Sequence, residues 1–284
     1  MNQPQLLIIG SNGQLGHALM SQYPGAVAVD QHKLDISDLN ALQNFAWSNI
    51  KIIVNAAAYT NVDSAETQQG RIDAWQVNAI GAANLAHIAM QHSLTLVHIS
   101  TDYVFDGHLE THLETEQFSP LNVYGQSKAA GDIAVSLTPQ HYIMRTSWVI
   151  GEGKNFVRTM LDVGKQGINP KVVSDQIGRL TFTSELVRAI DYLLSHHAAY
   201  GTYNLTNSGI SVSWADITRL IFKVAGYNNT VSDITTQKYY KDKPEAAMRP
   251  LNSTLDLNKI TNTGFQSMTW QDELAQYVKQ ELVK

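Results

Sequence analysis

The feature that most constrains this chain is a glycine-rich turn between a short apolar run and a segment with helical spacing. Residues 6–9 (LLII) lead directly into residues 10–16 (GSNGQLG), and a plausible helix follows over 15–20. Glycine permits a tight bend and lets backbone amides approach a pyrophosphate, whose charge the next helix N-terminus favours. The segment predicts a dinucleotide-binding strand, turn and helix; a turn of purely structural use is the alternative.

An acidic residue follows at a suitable distance. Asp30 lies 20 residues after Gly10 and ends a second apolar run, 26–29. A carboxylate there accepts hydrogen bonds from adenosine ribose hydroxyls. It favours NADH because it repels a 2′-phosphate, whereas nearby Lys33 offsets that repulsion. The expected cofactor is therefore NADPH or NADH.

The order of elements predicts the fold class. Further short apolar runs at 50–54, 95–99 and 142–146 are typical of strands covered on both faces. They alternate with helical spacing at 39–46, 74–90 and 123–137. Such alternation implies right-handed crossovers. We expect an α/β protein with a Rossmann-type doubly wound parallel sheet and a smaller C-terminal substrate lobe.

The two parts are expected to be interleaved. After residue 150 the pattern loosens, with helices predicted at 156–163, 214–224 and 274–282 and a strand at 171–174. A helix at 184–194, capped by Thr183, and a strand at 202–205 are expected to return to the sheet. The predicted dinucleotide-binding Rossmann domain is therefore 1–150 plus about 180–206. The predicted substrate-binding domain is about 151–179 and 207–284.

Composition excludes several classes of function. Asp and Glu number 25 against 20 Lys and Arg, without a basic run, so nucleic acid is not an expected partner. The absence of cysteine excludes disulfides, a thiol nucleophile and thiolate metal sites. Apolar runs fall far short of the ~18 residues of a membrane span. The first residues lack the pattern of a secretory signal, so a cytoplasmic location is expected.

A candidate catalytic set follows the fourth predicted strand. Thr101 lies at that strand's end, and Tyr124 and Lys128 are four residues apart on a predicted helix. A nearby ammonium favours the phenolate, so we expect the pKa of Tyr124 to fall toward a useful range. Tyr124 would then protonate a carbonyl oxygen while a nicotinamide supplies hydride. A second pair, Tyr239 and Lys243, lies in a polar stretch before Pro244 and is expected to be a solvated surface.

Together these motifs resemble the extended short-chain dehydrogenase/reductase family over nearly the whole chain. The closest resemblance is to members that reduce the 4-keto group of dTDP-4-dehydro-L-rhamnose, the last step of dTDP-L-rhamnose synthesis. The segments that carry it are residues 10–16, 55–63 (NAAAYTNVD), 100–105 (STDYVF), 120–125 (PLNVYG), 145–148 (RTSW), 174–176 (SDQ) and 249–253 (RPLNS).

The resemblance implies roles for individual residues. Tyr124 is the proton donor, Lys128 also holds the nicotinamide ribose, and Thr101 supports them. The residues expected at the cofactor are Gly10, Asn12, Gly13, Gln14, Leu15, Gly16, Asp30, Asp35, Ile36, Ala57, Ala58, Tyr59, Ile99, Tyr124 and Lys128. The residues expected at the sugar nucleotide are Thr101, Asp102, Tyr124, Trp148 and Arg249. For Arg249, pairing with the substrate diphosphate and a surface ion pair are both open.

Two positions depart from the family pattern. Metal-linked dimers carry a glutamate where this chain has Ala18, so a metal-bridged dimer is not expected, and the chain is expected to be a monomer or homodimer. Leu180 stands where many members have proline. His108 and His112 invite a metal interpretation, but a solvated, mobile loop bordering the sugar pocket is the favoured one.

Two other functions are kept as alternatives. One is a different nucleotide-sugar 4-ketoreductase, since sequence does not show how the sugar ring is oriented. The other is a non-catalytic regulatory subunit resembling that of methionine adenosyltransferase. The intact set of Thr101, Tyr124 and Lys128 argues against the second.

Overall fold

The computed structural model of the chain describes residues 5–243 and 245–283. Residues 1–4, on which the expectation about a secretory signal mainly falls, and Pro244 lie outside this range. The strands are Gln5–Ile9 (β1), Val27–Val29 (β2), Ile50–Asn55 (β3), Thr95–Thr101 (β4), His141–Thr146 (β5), Val149–Ile150 (β6), Lys171–Val173 (β7), Ile177–Gly178 (β8), Thr181–Phe182 (β9), Gly201–Asn204 (β10), Val212–Ser213 (β11) and Ser232–Ile234 (β12).

Helices connect and cover these strands. They are Gln14–Gln22 (α1), Leu39–Gln43 (α2), Gln68–Trp75 (α3), Ala82–His92 (α4), Val123–Ser136 (α5), Phe156–Lys165 (α6), Thr183–Ser195 (α7), Trp214–Ala225 (α8), Thr236–Tyr240 (α9), Asn258–Thr261 (α10) and Trp270–Val283 (α11). Short 3-10 turns occupy Ser64–Glu66 and Asp102–Val104. Within the described residues, no helix is long and apolar enough to cross a bilayer.

The main sheet has six parallel strands in the order β2-β1-β3-β4-β5-β10. Its first strand is apolar on both faces, as expected where helices cover both sides of the sheet: Leu7, Ile8 and Ile9 are all buried. Alternate residues of β1 join two different cores, one against α4 and one against α1 and α7. The expected doubly wound α/β fold is confirmed, and the strand order reverses direction between β1 and β3.

Predicted helix 74–90 is confirmed with an irregular centre. Between α3 and α4 the chain makes a π-helical turn, Gln76–Gly81, which holds the buried Asn78. The amide of Asn78 accepts a hydrogen bond from Tyr59 N–H at 2.9 Å and donates to the Ser127 hydroxyl at 3.0 Å. The irregular turn therefore fixes the loop after β3 against helix α5.

The C-terminal region forms its own core and returns one unit to the sheet. Helices α6, α8 and α11 surround Ile221, Trp270 and Leu274, with short strand pairs at the margin. In contrast, α7 packs beneath the main sheet and β10 joins its edge. Leu180 is fully buried in the C-terminal core. The interleaved division of the chain stays a prediction supported by these contacts.

Two local expectations were wrong. Thr183 was expected to cap α7, but it is the first helical residue, and Phe182 precedes it without a side-chain cap. Predicted helix 39–46 ends early, at Gln43, because Asn44 leaves the helix and Phe45 N–H bonds to the Leu42 carbonyl.

The loop between β4 and α5 also differs from the expectation of a solvated segment. His108 is exposed, but the ring of His112 is buried and stacks on Phe105 with centroids 4.9 Å apart. Its nitrogens face the Glu116 carboxylate at 2.8 Å and the Asn252 carbonyl at 3.2 Å. In the described parts of the chain no cluster of His, Asp and Glu is arranged to hold a metal ion.

A buried ion pair anchors the same loop to the sheet. Arg145 of β5 contacts Asp132 of α5 at 3.0 Å, and both side chains are at least 96% buried. The guanidinium also donates to the Glu114 carbonyl at 3.0 Å and lies over the rings of Phe105 and Phe118. One side chain thus joins strand, helix and loop.

Arg145→Met should lower the free energy of unfolding by about 3–5 kcal/mol, because the Asp132 carboxylate is left buried without its partner. Adding Asp132→Asn should restore part of that loss. Arg219→Met, which removes an exposed ion-pair network, should change stability by less than about 1 kcal/mol. Urea unfolding followed by circular dichroism measures the stability of all three variants. Equal losses of unfolding free energy for Arg145→Met and Arg219→Met would contradict the stabilising role of the buried pair of Arg145 and Asp132.

Candidate active site

The carboxyl ends of the parallel strands open onto an elongated cleft. Two adjoining cavities of about 910 and 360 Å³ share Asn12, Gly13 and the small residues 56–58 as lining. The smaller cavity reaches Asp30, and the larger one reaches Tyr124 and Trp148. The cleft therefore lies where ligands bind in open α/β sheets.

The glycine turn forms the floor between the cavities. Gly10 has a φ of +82°, and a Cβ there would lie 2.6 Å from the backbone nitrogen of Ala57. A side chain at Gly16 would collide with the Ser11 backbone, so helix α1 starts directly against the turn. Gly13 is the N-cap of α1 and lines both cavities. This arrangement fits the predicted pyrophosphate site.

Asp30 sits at the far end of the smaller cavity. Its carboxylate accepts hydrogen bonds from the Asn12 amide at 2.8 Å and from the N–H groups of His32 and Lys33, both at 3.1 Å. Partial desolvation raises its pKa, but the hydrogen bonds from Lys33, Asn12 and His32 outweigh it and hold the pKa below the ordinary value. The group is an anion positioned to accept hydrogen bonds.

The structure brings together the residues expected at the cofactor. Asp35, Ile36, Ala57, Ala58 and Tyr59 line the smaller cavity. Gln14, Leu15, Ile99, Tyr124 and Lys128 line the larger one. Lys33 lines neither cavity and contacts Asp30 through its backbone N–H, so the expected offset of the Asp30 charge by the Lys33 ammonium stays a prediction.

The candidate catalytic set converges in the larger cavity. Asn122 caps α5 by accepting from Gly125 N–H at 2.7 Å, which places Tyr124 in the first turn. Lys128, one turn later, is buried and donates to the Ile99 carbonyl at 2.6 Å. The Thr101 hydroxyl donates to Asp102 at 3.0 Å, and Thr101 and Tyr124 line the same cavity. Helix α5 and the end of β4 thus hold three hydrogen-bonding groups around one space.

The expected fall in the pKa of Tyr124 is not found. Burial raises its pKa, the neighbouring Thr101 hydroxyl lowers it in part, and the Asp102 and Asp132 charges raise it further. Burial is the largest cause, and the Lys128 nitrogen is directed to the Ile99 carbonyl. Burial also lowers the pKa of Lys128 to about 8, while Asp132 opposes this effect. In the free protein Tyr124 is a neutral phenol, the form that donates a proton.

Asp102, directly after Thr101, and two indoles are further parts of the lining of the larger cavity. Asp102 is buried, and its pKa is raised by desolvation to about 6, against hydrogen bonds with Ser253 and Thr101 that lower it. Trp148 has a φ of +47°, and its ring stacks on that of Trp214 with centroids 3.8 Å apart. Both indoles line the cavity. Trp214 was not predicted, because only the tertiary fold brings α8 to this cleft.

Arg249 occupies a different place from the other predicted substrate residues. It lines neither cavity and pairs with Asp63 at 2.9 Å, while its guanidinium lies over the ring of Tyr240. Asp63 also accepts from Ala247 N–H at 3.0 Å. In the free protein this arginine joins the loop after β3 to the C-terminal region. The loop 106–118 likewise does not line the cleft.

Fold and site together define an extended short-chain dehydrogenase/reductase. The chain belongs to the family described as the RmlD substrate binding domain, whose profile matches residues 4–283. The family resemblance seen in the sequence is confirmed.

Three relatives illustrate the family. A dTDP-4-dehydrorhamnose reductase from Aggregatibacter actinomycetemcomitans is 38% identical over 292 residues, covering 95% of this chain and 97% of that protein. A dTDP-4-keto-6-deoxy-D-glucose reductase from Streptomyces niveus is 38% identical over 229 residues, 78% of each chain. The crystal structure of dTDP-4-dehydrorhamnose reductase from Bacillus anthracis in complex with NADP superposes with a TM-score of 0.89 at 35% identity, covering 98% of this chain and 99% of that one.

Asp102→Asn should stabilise the protein increasingly as pH rises. Because the folded pKa of about 6 exceeds the ordinary 3.8, folding favours the protonated acid, and that stability is lost as pH rises through 6. Relative to the wild type, the variant should gain about 3 kcal/mol between pH 3.5 and 7. Thermal and urea unfolding across this range measure the difference.

Asp106→Asn is the matched control for this experiment. Hydrogen bonding from His108 N–H holds the pKa of Asp106 below its ordinary value, so this variant should lose stability relative to the wild type as pH rises. The same sign of pH dependence in both variants would contradict the assigned burial of Asp102.

Proposed function

We propose that this chain is an NAD(P)H-dependent reductase that converts the 4-keto group of dTDP-4-dehydro-L-rhamnose to the alcohol, giving dTDP-L-rhamnose. The carrying observation is the convergence of Thr101, Tyr124 and Lys128 at one end of a cleft whose other end presents the glycine turn and Asp30. The 38% identity to a curated dTDP-4-dehydrorhamnose reductase over nearly the whole chain supports the substrate.

The residues present fit a nicotinamide dinucleotide. Gly10 and Gly16 leave no space for side chains beneath the turn, while Gly13 opens to both cavities. We infer that Asp30 would hold the adenosine ribose, the N-terminus of α1 would hold the pyrophosphate, and Lys128 would hold the nicotinamide ribose. When bound, the cofactor supplies a hydride to the carbonyl carbon.

The side chains of this protein act on the oxygen of the same carbonyl, by proton donation and hydrogen bonding. The neutral Tyr124 hydroxyl donates its proton to that oxygen as charge develops, and the Thr101 hydroxyl turns to hydrogen-bond it. Lys128 would hold the ribose hydroxyls, and its ammonium charge, one helical turn from Tyr124, would stabilise the phenolate that remains without a direct hydrogen bond. Asp102 and Trp148 contact the sugar ring. The contact between Arg249 and the substrate diphosphate stays a prediction, since it requires the guanidinium to exchange Asp63 for the ligand.

A second reductase activity is the remaining candidate. The similarity to a dTDP-4-keto-6-deoxy-D-glucose reductase favours a 4-ketoreductase acting on another dTDP-deoxy sugar. Product stereochemistry determined by NMR after NAD(P)H oxidation separates the two.

For assembly we propose a monomer or homodimer without a bridging metal, because Ala18 on α1 offers no ligand. Sedimentation with and without EDTA tests this.

Tyr124→Phe should abolish most of the turnover, by at least about 100-fold, while cofactor affinity changes little, because only the proton donor is removed. Tyr239→Phe is the matched control: Tyr239 has the same spacing to Lys243 but lines neither cavity. Absorbance at the nicotinamide band with enzymatically generated keto sugar measures turnover. Normal turnover in Tyr124→Phe would refute the mechanism.

Asp30→Ala should raise the KM for NADH by roughly ten- to a hundredfold, the size expected for losing hydrogen bonds to a charged group. The KM for NADPH should rise less or fall, because repulsion of the 2′-phosphate is relieved. Asp30→Asn keeps an acceptor for the loop N–H groups and isolates the charge effect. An equal rise in both KM values for both variants would assign Asp30 to loop structure alone.

A further inference from the structure

A line of buried polar side chains lies behind the candidate catalytic set. His98 in β4 is buried between Asn55, at the end of β3, and Lys128 of α5. Its Nδ1 lies 3.0 Å from the Asn55 amide nitrogen, and its Nε2 lies 3.3 Å from Lys128 Nζ. No motif identified His98 in the sequence, where it reads as one polar residue within an apolar strand.

The hydrogen-bond directions in this line are fixed from one end. Asn55 Oδ1 accepts from Ala57 N–H at 3.1 Å, so the amide nitrogen faces the ring and donates to His98 Nδ1. Burial, reinforced by the Lys128 charge, holds the pKa of His98 well below its ordinary value. A neutral imidazole with an unprotonated Nδ1 carries its proton on Nε2. His98 therefore presents an N–H to Lys128.

This N–H determines which form of Lys128 fits. The Lys128 nitrogen also donates to the Ile99 carbonyl at 2.6 Å. An uncharged amine satisfies both neighbours, because it donates to the carbonyl and accepts from Nε2–H with its lone pair. An ammonium has no lone pair and must face the Nε2–H as a second donor. The contact thus disfavours the charged form.

Other groups near Lys128 also affect whether its nitrogen is charged. Asp132, one turn further along α5, favours the ammonium, but its carboxylate is itself paired with Arg145 of β5. Tyr124, one turn earlier, is neutral in the free protein because burial raises its pKa. Burial also disfavours the ammonium. His98 is the neighbour whose hydrogen-bond polarity can be reversed without moving the helix.

We propose that His98, oriented by Asn55, is a positioning residue for Lys128 that sets the pH at which this amine loses its charge. The second part of the proposal rests on the proposed function: loss of that charge sets the alkaline limit of the reductase reaction. His98 would contact neither substrate nor cofactor and would act through the Lys128 nitrogen.

Two variants reverse the polarity of this line. In Asn55→Asp the new carboxylate oxygen accepts from His98 Nδ1–H, so Nε2 becomes an acceptor for the ammonium. In His98→Gln the amide oxygen can turn to the ammonium directly. Both should raise the Lys128 titration midpoint, Asn55→Asp by about one pH unit or more because it also adds a negative charge.

The titration is followed by NMR of lysines labelled with 13C at Cε, with the Lys128 signal assigned by its loss in Lys128→Met. The pH profile of kcat/KM is recorded in parallel. His141→Gln is the control: this half-buried histidine of neighbouring β5 bonds to the Thr138 carbonyl, and its variant should leave the Lys128 titration and the alkaline limit of kcat/KM unchanged.

The outcomes separate the proposal from the proposed function. An unmoved Lys128 titration in folded Asn55→Asp and His98→Gln overturns the role of His98. If the Lys128 titration moves but the alkaline limit of kcat/KM does not, the second part of the proposal is overturned, namely that loss of the Lys128 charge sets that limit. The titration needs no turnover, so an enzyme inactive on the keto sugar refutes only the proposed function. If neither variant folds, 15N NMR of wild-type His98 decides: a proton on Nδ1 overturns the proposal, and one on Nε2 supports it.

Discussion

The active end of this molecule depends on one hydrogen bond, from the buried Lys128 nitrogen to the Ile99 carbonyl. It joins helix α5 to β4 near the carboxyl end of that strand, which is Thr101. Because a buried amine must be satisfied, the helix has one register against the sheet. That register places the Tyr124 hydroxyl beside Thr101 and leaves the cleft open toward the glycine turn. The catalytic groups are positioned by a polar contact beneath the cavity.

Much of this arrangement could be predicted from the sequence because its signals are local. The turn around Gly10 and the acid at Asp30 each follow a short apolar run, and parallel strands bring all their carboxyl ends to one edge. The spacing of Tyr124 and Lys128 needs only a helix. These features required no knowledge of distant contacts, and the structure places them in one cleft.

The rest depends on partners far apart in the chain. His112 is buried because Phe105, Glu116 and Asn252 surround it, and only the last of these belongs to the C-terminal region. The pKa of Tyr124 is raised, contrary to the expectation, mainly because the fold buries the phenol. The direction of the Lys128 side chain depends on a carbonyl of another element. Arg249 pairs with Asp63, 186 residues away. Spacing along a sequence carries no information about such pairs.

The stacked indoles of Trp148 and Trp214 have a consequence for how a ligand in the cleft can be detected. Trp148 keeps a left-handed backbone, a conformation that costs of order 1–3 kcal/mol and persists only when its surroundings enforce it. The stacked ring comes from α8, and both indoles pack against the same C-terminal core. Because the pair also lines the larger cavity, a ligand seated against Trp148 would displace water from both rings. Indole emission should therefore report whether the cavity is occupied.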